Sequence, residues 1–183
     1  MLGILLVEGI FGLALGYKKN DEYYVVGIKR YEPEKVKYDV NDKMKDLKSK
    51  MEINPMQVRE ELLQIRMGLG CRFFVFDTWA YPLLQKELEL NGANVINNIV
   101  KTEHHEGVRK LLYAGKLHIC YDRVLEKEWK SLTYSSSGKV DHPKDGSKDI
   151  ADAVANLVFL LDQMEAPVWV PRVMARLPMG RGF

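Results

Sequence analysis

The chain has 183 residues, 46% of them hydrophobic and 28% charged, with a formal net charge of +2. That is the profile of one globular domain long enough for a full core, and the charge is too small to announce a nucleic-acid binder, although a local basic groove remains open. Cys71 and Cys120 have no close spacing, which excludes a disulfide framework or a zinc knuckle and points to a reducing compartment.

Taken in order, Met1 to Val7 is apolar but far too short to span a bilayer and lacks a basic leader, so it reads as a strand and not a signal. Gly3 to Val7 and Phe11 to Tyr17 form two strands, or one long bent strand, around Glu8-Gly9. Asn20-Asp21-Glu22 makes a turn into a strand over Tyr23 to Arg30, giving an antiparallel meander that Glu32-Pro33-Glu34 ends. The charged stretch Lys35 to Lys50, with Val36, Val40, Met44 and Leu47, predicts a solvated helix.

Asn54-Pro55 is a helix start, with Asn as N-cap and Pro at the first helical position, and the helix stops at Gly68 to Gly70. Phe73-Phe74-Val75-Phe76 is a near-continuous apolar run, as expected of a strand buried on both faces. Helices over Pro82 to Leu90, Thr102 to Tyr113 and Asp122 to Leu132 alternate with strands over Asn94 to Val100 and Leu117 to Cys120. Thr133 to Val140 carries Ser135-Ser136-Ser137-Gly138 between two extended arms, which predicts a hairpin or flap. Ser147 is the expected N-cap of a last helix whose apolar side is Ile150, Val154, Leu157, Val158 and Leu161, with Ala151, Ala153 and Ala155 permitting close approach to a sheet. Residues 1–165 read as one domain and 166–183 as a basic, Pro-containing tail. An antiparallel opening followed by alternating helices and buried strands implies an α/β fold, a mixed central sheet flanked by helices.

The chemistry is carried by acids. Asp149 and Asp152 are three apart at the start of the last helix, where they serve the dipole and invite a divalent cation. Asp77 follows the buried strand, beyond the strand end where α/β sheets bind ligands, and Glu8 follows the first strand in the same way. If those two strands are neighbours, the carboxylates converge, and converging carboxylates require a cation such as Mg²⁺ or Mn²⁺. His104-His105-Glu106 points to different faces and reads as a solvated first turn.

Phe74-Val75-Phe76-Asp77, Lys139-Val140-Asp141-His142-Pro143 and Gly146-Ser147-Lys148-Asp149-Ile150-Ala151-Asp152-Ala153 together resemble the C-terminal nuclease domain of the large terminase subunit of tailed bacteriophages. The resemblance extends over most of the chain. It implies an RNase H-like fold and a metal-dependent endonuclease that cuts concatemeric viral DNA during packaging, by two-metal phosphodiester hydrolysis with Mg²⁺ or Mn²⁺. It places Asp77 at the family's second catalytic acid and Asp149 at its third, with Asp152 in a supporting position. It makes the flap, with Ser137 and Lys139, and the following His142 and Lys148, candidates for gripping DNA.

The implied partners are double-stranded DNA, a terminase ATPase domain, the small terminase subunit and the portal protein, in the cytoplasm of the bacterial host and without a membrane. The sequence departs from the family at two points. The first acid of the family is an Asp on the opening strand, and here only Glu8 is offered, so either Glu8 substitutes or the acid lies upstream of this chain. No G-x-x-x-x-G-K-[ST] loop occurs in the 183 residues, so the ATPase motor is not among them. The alternatives are another RNase H-like nuclease of resolvase type, or a catalytically impaired module that binds DNA or the portal.

Overall fold

The computed structural model describes residues 2–7, 10–36, 50–76, 82–136, 138–143 and 146–164. Strand β1 (Leu2–Val7) pairs antiparallel with β2 (Ile10–Lys19), closing at Val7 opposite Ile10, so the opening is two strands and not one bent strand. Asn20 and Asp21 both take positive φ, the conformation of a two-residue hairpin turn, and β3 (Glu22–Tyr31) returns antiparallel beside β2. The solvated helix expected from Lys35 to Lys50 is contradicted at both ends. Strands β4 (Glu34–Val36) and β5 (Lys50–Glu52) pair antiparallel with each other, a long-range pairing that local charge density does not reveal, and residues 37–49 lie outside the described residues.

Helix α1 (Pro55–Gly68) starts as its sequence dictates, the Asn54 side chain accepting from Met56 and Gln57. The phenylalanine run is β6 (Phe73–Phe76), with Phe74, Val75 and Phe76 fully buried. Helix α2 (Pro82–Leu90), strand β7 (Asn94–Asn97), helix α3 (Thr102–Tyr113), strand β8 (Leu117–Ile119) and helix α4 (Arg123–Ser131) follow in alternation. Strands β9 (Thr133–Tyr134) and β10 (Val140–Asp141) form the expected hairpin, and α5 (Asp149–Gln163) completes the described chain.

The six-stranded sheet has the order β7-β6-β1-β2-β3-β8. The meander is antiparallel, while β6 and β7 run parallel to β1 on one side and β8 runs parallel to β3 on the other. β1 and β6 are therefore neighbours, the condition on which convergence of the acids depended. One face packs Leu13, Tyr31, Phe74 and Phe76 against α1 and α2. The other packs Ala14, Tyr23 and Val25 against α5, which α3 and α4 cover through Val108 and Leu125.

Helix α5 is thus buried on every side from Asp149 to Val158, not amphipathic as its spacing suggested. The strand beneath it is correspondingly bare. A Cβ on Gly12 would lie 2.3 Å from the Asp149 carbonyl oxygen, and one on Gly16 would lie 2.9 Å from a Leu157 methyl carbon. Gly12, Ala14 and Gly16 let the helix axis approach the sheet closely.

Candidate active site

The last helix begins one residue later than Ser147 predicted. Lys148 is the N-cap and makes no side-chain capping bond. The cap comes from another helix. Glu128, only 3% exposed on α4, accepts from the Ile150 and Ala151 amides with one carboxylate oxygen, at 3.0 and 2.9 Å. Its other oxygen accepts from the Ser147 hydroxyl at 2.6 Å. Ser147 therefore serves the same corner of the fold, as a donor to Glu128 in place of an acceptor for the helix. A carboxylate buried here is stabilised by three donors and by the positive end of the α5 dipole.

Asp149 is the first residue of α5 and is 7% exposed. Its backbone lies against Gly12, and Gly12 is in register with Arg30 on the next strand. Burial, then the charge of Glu128, pushes its carboxyl up to about 6, with Asp152 adding to the rise and Arg30 opposing it. Among the described residues no side chain hydrogen-bonds to it.

Asp152, 4% exposed, lies one turn on. One oxygen is 2.8 Å from Nε2 of His105, and the other is 3.3 Å from Nζ of Lys148. The His105 contact has ion-pair distance without the alignment of a hydrogen bond. His105 itself is 8% exposed, which corrects the solvated first turn expected for His104-His105-Glu106. Adjacent residues do point apart, but α5 covers this side of α3. His104 Nδ1 accepts from the Lys101 amide at 3.0 Å, which needs the neutral ring, and burial lowers its pKa to match.

The hairpin is tied to α3 by one hydroxyl. Thr102 Oγ1 donates to the Gly138 carbonyl at 3.1 Å and accepts from the Val140 amide at 3.2 Å. Within the flap, the Lys139 amide donates to Ser135 Oγ at 3.1 Å and the Lys139 side chain is exposed. His142 sits in an exposed loop, where its Nδ1 donates to the Pro143 carbonyl at 2.8 Å. Helix α3 thereby supports both the flap, through Thr102, and the acid-bearing helix, through His105.

Of the residues singled out from sequence, the structure brings Lys148, Asp149 and Asp152 together at the start of α5. Asp77, Glu8 and Ser137 lie outside the described residues. Asp77 follows Phe76, which is in register with Ile4; Ile4 in turn faces Leu13, the neighbour of Gly12. Among the described residues no three His, Cys, Asp or Glu side chains form a group able to hold a metal. Sequence reasoning missed Glu128, His105 and Arg30. The one available signal was an acid three residues after Leu125 on the apolar side of α4.

No family model matches the sequence, and no curated protein matches it. Solved structures do. A full-length large terminase from a thermophilic bacteriophage superposes with a TM-score of 0.63 at 14% identity, over 87% of this chain and 39% of that one. The chain thus spans about two fifths of that protein's length. The large terminase nuclease from the thermophilic phage G20c gives 0.60 at 14% identity, over 85% and 78%. The large terminase nuclease domain of bacteriophage SPP1, solved with bound Mn, gives 0.51 at 12% identity, over 88% and 85%. The strand order, the buried last helix and these superpositions agree: the chain has the RNase H-like fold of the large-terminase nuclease domains.

Proposed function

We propose that this domain is a divalent-metal-dependent DNA endonuclease of terminase type, cutting double-stranded DNA by phosphodiester hydrolysis. The observation that carries the proposal is Asp149: a buried carboxyl with two further acids around it, held on the sheet in a fold shared with a nuclease that binds Mn. Concentrated negative charge of this kind is costly unless a cation offsets it, and an all-oxygen donor set suits Mg²⁺ or Mn²⁺. Asp149 and Asp77 would hold the metal, with Glu8 completing the donor set. Two such ions, bound about 4 Å apart, neutralise charge developing on the phosphate and activate the attacking water.

The chain's own side chains do the rest. Asp152 fits the role of support better than that of ligand, because His105 and Lys148 already pair with both its oxygens. Lys139, on the flap, and His142, after it, are placed to contact phosphates, with Ser137 at the flap's tip. Phosphate contacts of this sort position the duplex without reading its sequence, so cutting should show weak sequence preference.

The same likeness supports a biological setting in the bacterial host cytoplasm, with a terminase ATPase domain, small subunit and portal as partners. On this view residues 1–165 are the nuclease unit and 166–183 a docking tail. Among the described residues no helix is long and apolar enough to cross a membrane.

Plasmid digestion tests the reading. Supercoiled plasmid should be nicked and then linearised with Mn²⁺ or Mg²⁺ and left intact with EDTA, and both Asp77→Ala and Asp149→Ala should abolish cutting. A wild-type protein inert with either cation, or an Asp149→Ala variant that cuts as well as wild type, overturns it.

A further inference from the structure

We infer that Glu128 is a positioning residue of the active site: a cap supplied from α4 that fixes the first turn of α5 and so the carboxylate of Asp149. The inference deepens the nuclease reading and rests on it for its consequence, although the cap itself stands on geometry alone.

Helix α4 buries only Leu125 and Glu128, while Arg123, Lys127 and Lys130 remain outside its buried set. An acid at an inward position of a helix is unfavourable unless its oxygens are satisfied. Here both are. One takes two amides of the α5 first turn, and the other takes Ser147 in the segment arriving from the flap. That segment is itself turned by Gly146 donating to the Pro143 carbonyl at 2.8 Å.

The two capped amides belong to Ile150 and Ala151, which lie between Asp149 and Asp152. Whatever fixes those amides fixes the direction in which the flanking carboxylates leave the helix. Lys148, at the N-cap, offers no side-chain substitute. Both Glu128 oxygens are occupied, so the side chain cannot turn toward a cation without releasing the helix. Glu128 therefore acts through Asp149 and is not itself a ligand.

The conservative variant separates the two roles. In Glu128→Gln the amide oxygen still accepts from Ile150 and Ala151, and the amide nitrogen donates to Ser147 Oγ, so the cap survives while the charge is lost. Glu128→Gln should retain most of the Mn²⁺-dependent nicking turnover. Glu128→Ala should lower it on the order of 10- to 100-fold, the scale expected when a catalytic group is displaced by about an ångström.

Hydrogen exchange at Ile150 and Ala151, measured on the full chain without metal, gives a readout independent of cutting. Exchange should accelerate in Glu128→Ala and stay slow in Glu128→Gln. Glu128→Gln losing turnover as fully as Asp149→Ala, with its amides still protected, overturns the inference, because the charge and not the cap would then matter. Unchanged exchange in Glu128→Ala overturns it equally. If Glu128→Ala does not fold, the turnover and exchange of the isosteric Gln variant decide. A wild type that never cuts, with exchange behaving as expected, sinks the nuclease reading and leaves the cap standing.

Discussion

Gly12 and Asp149 meet backbone to backbone: a β-carbon on the glycine would lie 2.3 Å from the aspartate's carbonyl oxygen. Strand β2 and the start of α5 are thus in contact with no side chain between them. The acid-bearing turn is set directly on the sheet. Gly12→Ala forces that turn outward, since the obstructing atoms are backbone and cannot rotate away. The variant should lose roughly 1–3 kcal/mol of stability, as overpacked sites do. Urea denaturation measures this, and Mn²⁺-dependent nicking should fall with it even where the protein remains folded. A Gly12→Ala protein as stable and as active as wild type contradicts the packing described.

The Asp149 carboxyl gives a pH dependence with a definite sign. Its pKa is raised from the ordinary 3.8 to about 6, chiefly by burial, so between those values the folded state holds a proton that the unfolded state has released. Stability from this group is therefore present at low pH, falls as pH rises through that window, and is level above it. Asp149→Asn removes the ionisation. Above pH 6 it should be more stable than wild type by something on the order of 1–3 kcal/mol, with little difference near pH 4, and it should not cut. Denaturation curves across that range check the sign: an Asn variant destabilised at every pH would show that the charge is not a burden.

His105 and Asp152 are both buried and 2.8 Å apart. Removing either leaves the other enclosed beside a lost partner, so the single variants His105→Ala and Asp152→Ala should each be destabilised, and the double variant by less than their sum. A coupling of roughly 1–3 kcal/mol is expected from the double-mutant cycle. Strict additivity would mean that the pair contributes nothing to holding α3 against α5.

Thr102→Val tests the link between flap and helix. Valine keeps the shape and deletes the hydroxyl that joins the Gly138 carbonyl to the Val140 amide. Global stability should drop by only about 1 kcal/mol, the worth of an ordinary hydrogen bond. Exchange at the Val140 amide should rise, and KM for plasmid should increase more than kcat falls. An unchanged Val140 exchange rate would show that the hairpin is held by something other than Thr102.

Much of the fold was legible because its signals are local. Asn54-Pro55 begins α1, the run Phe73 to Phe76 is a two-sided buried strand, and Gly92 and Gly115 follow their helices in the left-handed conformation that glycine permits. The resemblance carried by Asp77 and the Asp141 to Ala153 segment also led to the right fold, and the neighbouring positions of β1 and β6 met the condition set for the acids. The stretch from Lys35 to Lys50 misled because a charged helical period says nothing about a distant strand partner.

By itself, then, the sequence determined where elements begin and end, and which acids open the last helix, because caps, turns and hydrophobic periods act over a few residues. Only the tertiary structure decided that Glu128 caps a helix more than twenty positions away, that His105 faces Asp152 across 47, and that α5 is enclosed on all sides. The reason is physical: capping bonds and buried ion pairs depend on which surfaces meet once helices cover the sheet, and nothing in the spacing of residues along one element records what lies on the next.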